Sequence, residues 1–238
     1  MVHASTGPDG GTPLRRTPRQ ARSRARLALL LEAAERILVG EGVEALTTTR
    51  VAAEAKVSVG SLYQYLPDRD AIIESLASGY FARLEGVMDD LVRTAAREQG
   101  REREQEQGQG EGAGQGQGQG RWDDPVGLLV DTFARVYRTE HGFRALWFGS
   151  GLTERTRAAD REHKRRMADG VRRVLLALGV ARDDAALARA CHAAILAADA
   201  LAQEAFRRTP EGDADLLDEA KAMLRSYLTQ VVARYAPG

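Results

Sequence analysis

Apolar side chains recur at steps of three and four along most of this 238-residue chain, and nowhere do they alternate over a strand's length. A period of 3.6 puts such positions on one face of an α-helix, whereas a half-buried strand needs a period of two. Helices packed on helices are what this pattern can build. Pro is rare at 7 residues and aromatic side chains make up only 5%, while Ala and Leu are frequent, so local preference agrees with the period. The expected fold class is all-α.

Residues 1–21 hold Gly, Pro, Thr and Arg with almost no large apolar side chain, and burial cannot offset the entropy of ordering them. They read as a disordered basic arm. From Arg22 onward Leu27, Leu30, Leu31, Ala34, Ile37 and Leu38 form one stripe, ended by Gly40 and Gly42. The hydroxyls of residues 47–49 can cap a second helix running to about residue 55. Ser58 can cap a third from Val59 to Leu66, which Pro67 stops. Asp68 opens a fourth to about residue 96, with Ile72, Leu76, Tyr80, Leu84, Val87 and Leu91 as its buried stripe. In residues 98–120 Gly alternates with Gln or Glu, which reads as a flexible insertion spanning about 25 to 30 Å. Helical patterns return at about 123–140, 143–150, 154–178, 183–208 and 213–235. The helix at 183–208 is apolar nearly all round and is expected to be covered on both sides. With the last helix, which carries Leu216, Leu217, Leu224, Tyr227, Leu228 and Val231, it suggests a homodimer seam. No apolar run approaches the roughly 18 to 20 residues of a spanning helix, and the Arg-rich start has no apolar core of a secretory signal, so no membrane partner and a cytoplasmic location are expected. The single Cys191 excludes an internal disulfide framework.

Two short helices joined by a tight turn, the first entered through Thr and the second rich in Ser, Tyr and Gln, are laid out as a helix-turn-helix reader of DNA. The reading helix must be polar on the face that enters a major groove about 12 Å wide and apolar on the face that docks. Val57 and Leu62, with Val51, Ala52 and Ala55, supply the apolar side. Ser58, Ser61, Tyr63, Gln64 and Tyr65 remain for the outside. The helix starts at Thr48 and Ser58 can aim free N–H groups at phosphates.

The run LTTTRVAAEAKVSVGSLYQYLPDRDAI, residues 46–72, resembles the N-terminal signature of the tetracycline-repressor (TetR) family of bacterial transcriptional regulators. The resemblance covers about residues 22–95 by motif. It implies an N-terminal three-helix DNA-binding domain (22–70), a connecting helix (71–97) and a C-terminal helical ligand-binding and dimerisation domain (121–238), assembled as a homodimer through the last two helices. Carried over residue by residue, it places Thr48, Thr49, Arg50, Ser58, Gly60, Ser61, Tyr63, Gln64, Tyr65 and Arg69 at the DNA. Gln64 suits adenine, which its amide can meet in a paired contact, while Tyr65 and Arg69 suit phosphates. The plainer alternatives are core packing for Tyr63 and Tyr65 and a solvated surface for Gln64. Three positions depart from the family pattern: Lys56 stands where Gly is usual in the turn, Leu66 replaces Phe, and Arg69 replaces Lys. A non-Gly residue in a left-handed turn costs roughly 1 kcal/mol.

With 34 basic and 34 acidic side chains the chain has no net charge, so an affinity for DNA must come from local placement. Arg15, Arg16, Arg19, Arg22, Arg24 and Arg26 form such a run, either a DNA-following arm or a plain solvated tail. The charges of 155–173 are mixed and read as a solvated helix face. An inducer pocket is implied by the resemblance alone; Phe133, Tyr137, Phe143, Trp147, Phe148 and Met167 are candidate lining, equally readable as core. His192 and Asp199, seven residues apart on one face of an apolar helix, are candidates to orient a ligand or to join the dimer seam. No nucleophile with its base, phosphate loop or metal spacing is found, so no catalytic residue, metal or cofactor is expected. The expected function is that of a dimeric DNA-binding repressor whose partner is a palindromic double-stranded operator, from which an unidentified small-molecule inducer releases it. The alternatives are an activator without an inducer and a helical interaction module.

Overall fold

The computed structural model describes residues 18–108, 122–149 and 152–236. Among these there are α-helices and no strands: α1 (Pro18–Glu41), a 3-10 turn (Val43–Ala45), α2 (Thr48–Glu54), α3 (Val59–Tyr63), α4 (Arg69–Gly108), α5 (Pro125–Thr139), α6 (His141–Phe148), α7 (Glu154–Ala177), α8 (Ala185–Arg208) and α9 (Ala214–Arg234).

The N-terminal head forms where the apolar stripe of α1 meets the two short helices. Leu30, Ala34, Ile37 and Leu38 are buried with Val51 and Ala52 of α2, Leu62 of α3, and Ile72, Ile73 and Leu76 of α4. The caps are the ones the sequence supplies. Thr47 Oγ1 accepts the Arg50 amide at 3.2 Å, Ser58 Oγ accepts the Ser61 amide at 3.2 Å, and Asp68 Oδ1 accepts the Ala71 amide at 2.7 Å. Between α2 and α3, Lys56 sits at φ 55, the one described non-Gly residue in the left-handed region. Lys56→Gly should therefore raise stability, but by less than the roughly 1 kcal/mol of relieved strain, because Gly also loosens the unfolded chain. Urea unfolding with an unchanged slope is the check; a destabilised variant would mean that the Lys56 side chain contributes more than its backbone costs.

Two boundaries move relative to expectation. Helix α1 starts at Pro18, so the end of the expected arm is helical; Pro suits a first helical turn because it has no N–H to leave unpaired. Residues 1–17 lie outside the described residues, and with them Arg15 and Arg16. Helix α4 runs on to Gly108, which corrects the reading of 98–108 as flexible insertion. Glu, Arg and Gln are good helix formers, and residues 101–107 contain no Gly; the dense Gly alternation begins only at Gly108. Residues 109–121 lie outside the described residues.

In the C-terminal body α4 packs along α7, α7 along α8 and α8 along α9. Met88 and Ala95 of α4 join Met167, Ala168, Val171 and Val174 of α7, Leu187 and Cys191 of α8, and Val231 of α9 in one cluster. A Cβ on Gly170 would overlap the Met88 side chain, so this glycine lets α7 approach α4 closely. The head meets the body at Tyr80, which is buried. Its hydroxyl donates to Glu35 Oε1 of α1 at 3.1 Å, and its ring packs edge-on against Phe143 of α6.

Helix α8 corrects two expectations. By length and composition alone it is long and apolar enough to cross a membrane, because its many alanines raise the mean hydropathy without forming a continuous run of large side chains. It is also not covered on both sides within the chain. α5, α7 and α9 pack against it, while Leu196 remains 46% exposed.

Candidate nucleic-acid interface and internal cavity

α3 presents its residues by a simple rotation about a single anchor. Leu62 is fully buried against α1 and α2, which turns Tyr63 and Gln64 outward; Tyr63 is 51% exposed. Ser58 and Gly60 are also exposed, and Ser61 is half-buried. Tyr65 is half-buried against the core of the head, with its hydroxyl free of any partner among the described residues. The N-terminus of α2 arrives at the same end. Thr48 Oγ1 lies 3.4 Å from the Tyr63 hydroxyl, and Thr49 and Arg50 are exposed beside it. Arg50 is held by Glu41 at 2.5 Å. The structure thus leaves Thr49, Arg50, Ser58, Gly60, Tyr63 and Gln64 exposed on the head and brings the start of α2 to the end of α3 through Thr48 and Tyr63.

Arg69 is the exception. Its Nε donates to the Leu46 carbonyl at 3.1 Å and its Nη2 to the Val43 carbonyl at 2.9 Å. The Val43 carbonyl also accepts the Leu46 amide at 3.2 Å, so the guanidinium adds a second donor there and meets the Leu46 carbonyl just beyond the turn. The guanidinium therefore staples the start of α4 to the loop before α2, and its geometry favours holding the scaffold over the phosphate contact expected of it.

A second feature lies in the body. A cavity of about 130 Å³ opens between α4, α5, α7, α8 and α9. Of the residues expected to line it, Phe133, Tyr137, Phe143, Met167 and Asp199 do so. Trp147, Phe148 and His192 do not. Trp147 stacks on Phe143 at 4.5 Å and meets Phe81 edge-on at 5.1 Å, which makes it core behind the wall. Phe148 is half-buried under the Arg207 guanidinium, 5.5 Å from the ring centre. His192 shares a face with Asp199 but lies beyond the stretch of α8, Ala194 to Ala202, that reaches the cavity.

Of the polar end of the cavity, the sequence points to Asp199 alone. Asp160, His163 and Lys164 come from α7, whose charges read there as a solvated face. Lys164 Nζ donates to Asp160 Oδ2 at 2.7 Å and lies 2.8 Å from Asp199 Oδ2. Burial works against the Lys164 ammonium, but the two carboxylates outweigh it and hold its pKa above the ordinary lysine value. Gln203 also donates to Asp199, at 2.7 Å. Burial, reinforced by Asp199 and Asp160, pushes the Tyr137 phenol well above its usual range, so it stays protonated. The i, i+4 spacing of Asp160 and Lys164 was the available signal; only the crossing of α7 over α8, which brings Asp199 to the pair, distinguishes it from a surface pair.

The His163 ring borders the cavity, while its Nδ1 is turned to α4. It is buried, stacks on Phe81 of α4 at 4.5 Å, and its Nδ1 lies 2.8 Å from Glu85 Oε1, which Arg166 Nε also meets at 2.8 Å. Burial pulls its pKa down against the pull of Glu85, so the neutral ring donates Nδ1–H to the carboxylate. Cys191 is buried, and burial pushes its thiol up to about 11, which leaves it inert at neutral pH. Among the described residues no group of His, Cys, Asp and Glu could hold a metal ion.

A three-helix head with a capped reading helix, joined by a long helix to a helical body, defines a helix-turn-helix regulator of DNA. Residues 30–76 match the family model for bacterial regulatory proteins of the TetR family, and residues 120–232 match that for the tetracyclin repressor-like C-terminal domain. The chain belongs to the TetR family and is a TetR-family transcriptional regulator. It is similar to the crystal structure of a TetR-family transcriptional regulator from Streptomyces coelicolor, with 27% identity, a TM-score of 0.59, and coverage of 87% of this chain and 99% of that one. A protein of Mesorhizobium loti assigned to the same family shares the fold, with a TM-score of 0.62, 13% identity, and coverage of 91% and 99%. The fold is also that of RolR in complex with resorcinol, with a TM-score of 0.52, 19% identity, and coverage of 92% and 98%. No curated protein matches the chain in sequence.

Proposed function

We propose that the protein is a repressor that binds a palindromic operator as a homodimer and is released from it by a small molecule held in the body cavity. The outward face of α3 carries this reading: Tyr63 and Gln64 are exposed over the buried Leu62, with Thr48 beside Tyr63. Two such heads enter successive major grooves about one helical turn apart or slightly more. Gln64 reads a base, and Tyr65 with the α2 and α3 N-termini holds phosphates. The dimer forms through α8 and α9, whose outer faces expose Leu196, Met223 and Tyr227. Large apolar side chains left exposed on two helices that pack together support an interaction surface there. Such a protein works in the cytoplasm, where its operator is.

The cavity supports the ligand half of the reading. It is nearly as large as the engineered apolar cavity of about 150 Å³ known to admit benzene, and RolR, of the same fold, holds a monocyclic compound. Occupancy changes the packing of α7 against α4, and α4 carries the head, so the spacing of the two heads shifts.

Selecting bound DNA from a random pool, with and without small aromatic compounds, tests both halves. An enriched palindrome that weakens with a compound supports them, whereas the absence of any enriched palindrome would favour a helical interaction module. The basic start adds a measurable part. Arg22, Arg24 and Arg26 are exposed on the first turns of α1. Deleting residues 1–17 removes Arg15 and Arg16 without entering α1, and should lower the salt slope of operator binding by up to about 0.9 per lost phosphate contact. An unchanged slope would show that these two arginines stay off the DNA.

A further inference from the structure

We infer that the cavity takes a small monocyclic amine in its protonated form, its ring among Phe133, Tyr137 and Phe143 and its ammonium beside Asp160, Asp199 and the Tyr137 hydroxyl. The inference rests on the cavity being the ligand site and adds the charge and size of what it holds.

Charge decides the class. The polar end sets two carboxylates, Asp160 and Asp199, against one ammonium, Lys164, so negative charge is in excess. The next charges do not cancel it, because Glu85 and Arg166 pair with each other at 2.8 Å and His163 is bonded to Glu85 on the side of α4. An anion would enter an already negative, poorly solvated pocket, whereas a cation would restore balance there.

Hydrogen-bonding capacity points the same way. Asp160 Oδ1 has no partner among the described residues, and Asp199 Oδ1 meets only the Tyr137 hydroxyl, at 3.5 Å. An O–H···O bond is usually about 2.7 to 2.8 Å, so Tyr137, 5% exposed, carries a nearly unmatched hydroxyl into the cavity wall. A group with several donors, placed between these oxygens, would satisfy all of them. The other walls are aromatic and aliphatic, and rings face a cation favourably. At about 130 Å³ the space limits the ligand to one ring with a short substituent.

Three probes of one shape test this on the full-length protein: benzylamine as the cation, benzyl alcohol as the neutral form and benzoate as the anion, with affinities from calorimetry and thermal shift. Benzylamine should bind about tenfold or more tighter than benzyl alcohol, as for a charge-assisted hydrogen bond, and benzoate more weakly than either. Asp199→Asn should erase that preference while sparing benzyl alcohol. Lys164→Met should enlarge it and give a greater thermal shift with benzylamine, a change of opposite sign that damage to the fold would not produce. Benzoate binding tightest, or a preference untouched by Asp199→Asn, would overturn the inference. Equal affinity for amine and alcohol would overturn the charge assignment and leave the ligand site standing. If none of the three binds, both fall.

Discussion

Leu196→Asp combined with Met223→Asp is expected to yield a monomer that no longer holds operator DNA. Both side chains stand in water in the single chain, 46% and 44% exposed, so the substitutions leave its own core untouched. In a dimer they would lie in the seam, where unpaired carboxylates cost several kcal/mol each. Two copies of each charge would face one another across the symmetry axis. Losing the second head removes the bivalent gain, commonly a factor of about 10² to 10⁴ in affinity. Sedimentation and operator titration read the two effects separately. A variant that remains dimeric would place the seam elsewhere on the molecule.

Gln64→Ala with Tyr65→Phe should weaken specific operator binding by about 2 to 6 kcal/mol per dimer, since each good base contact is worth about 1 to 3 kcal/mol and both heads are altered. The melting temperature should hardly move. Gln64 is exposed, and the Tyr65 ring keeps its packing when only a hydroxyl without an internal partner is removed. Binding to random DNA should change little, because phosphate attraction from the arginines is retained. If operator affinity survives the pair, the reading face is not the outer side of α3.

What could be read in the sequence divides along a physical line. The caps at Thr47, Ser58 and Asp68 and the burial of Leu62 follow from residue type and spacing, whereas the left-handed turn at Lys56 follows from the family resemblance, in which Gly is usual there. The cavity is set by how helices cross, which no local pattern contains. Phe143 and Trp147 are four residues apart on α6, yet one lines the cavity and the other packs behind it. His192 and Asp199 share a face of α8, but seven residues advance about 10 Å along the axis, and the cavity ends between them. Lys164 reads as a surface charge because its partner Asp199 is far along the chain. The low-complexity composition of 98–120 hides the end of α4 for a different reason: it averages the Glu- and Arg-rich start, which is helical to Gly108, with the Gly-rich part that follows.

His163 and Lys164 are consecutive on α7 and point in different directions, the first to Phe81 and Glu85 of α4, the second to Asp160 and Asp199. Phe81 and His163 also border the cavity, so this turn of α7 joins the cavity wall to the contact with α4. Changes at Asp160, Lys164 or Asp199 should alter which compound is sensed while leaving the response intact. Under the proposed function, Glu85→Gln, outside the cavity wall, should give a protein that still binds a compound but responds to it less. On the proposed reading, the polar end can be rewritten for a new compound at Asp160, Lys164 and Asp199 while the Glu85 tie between α7 and α4 is kept.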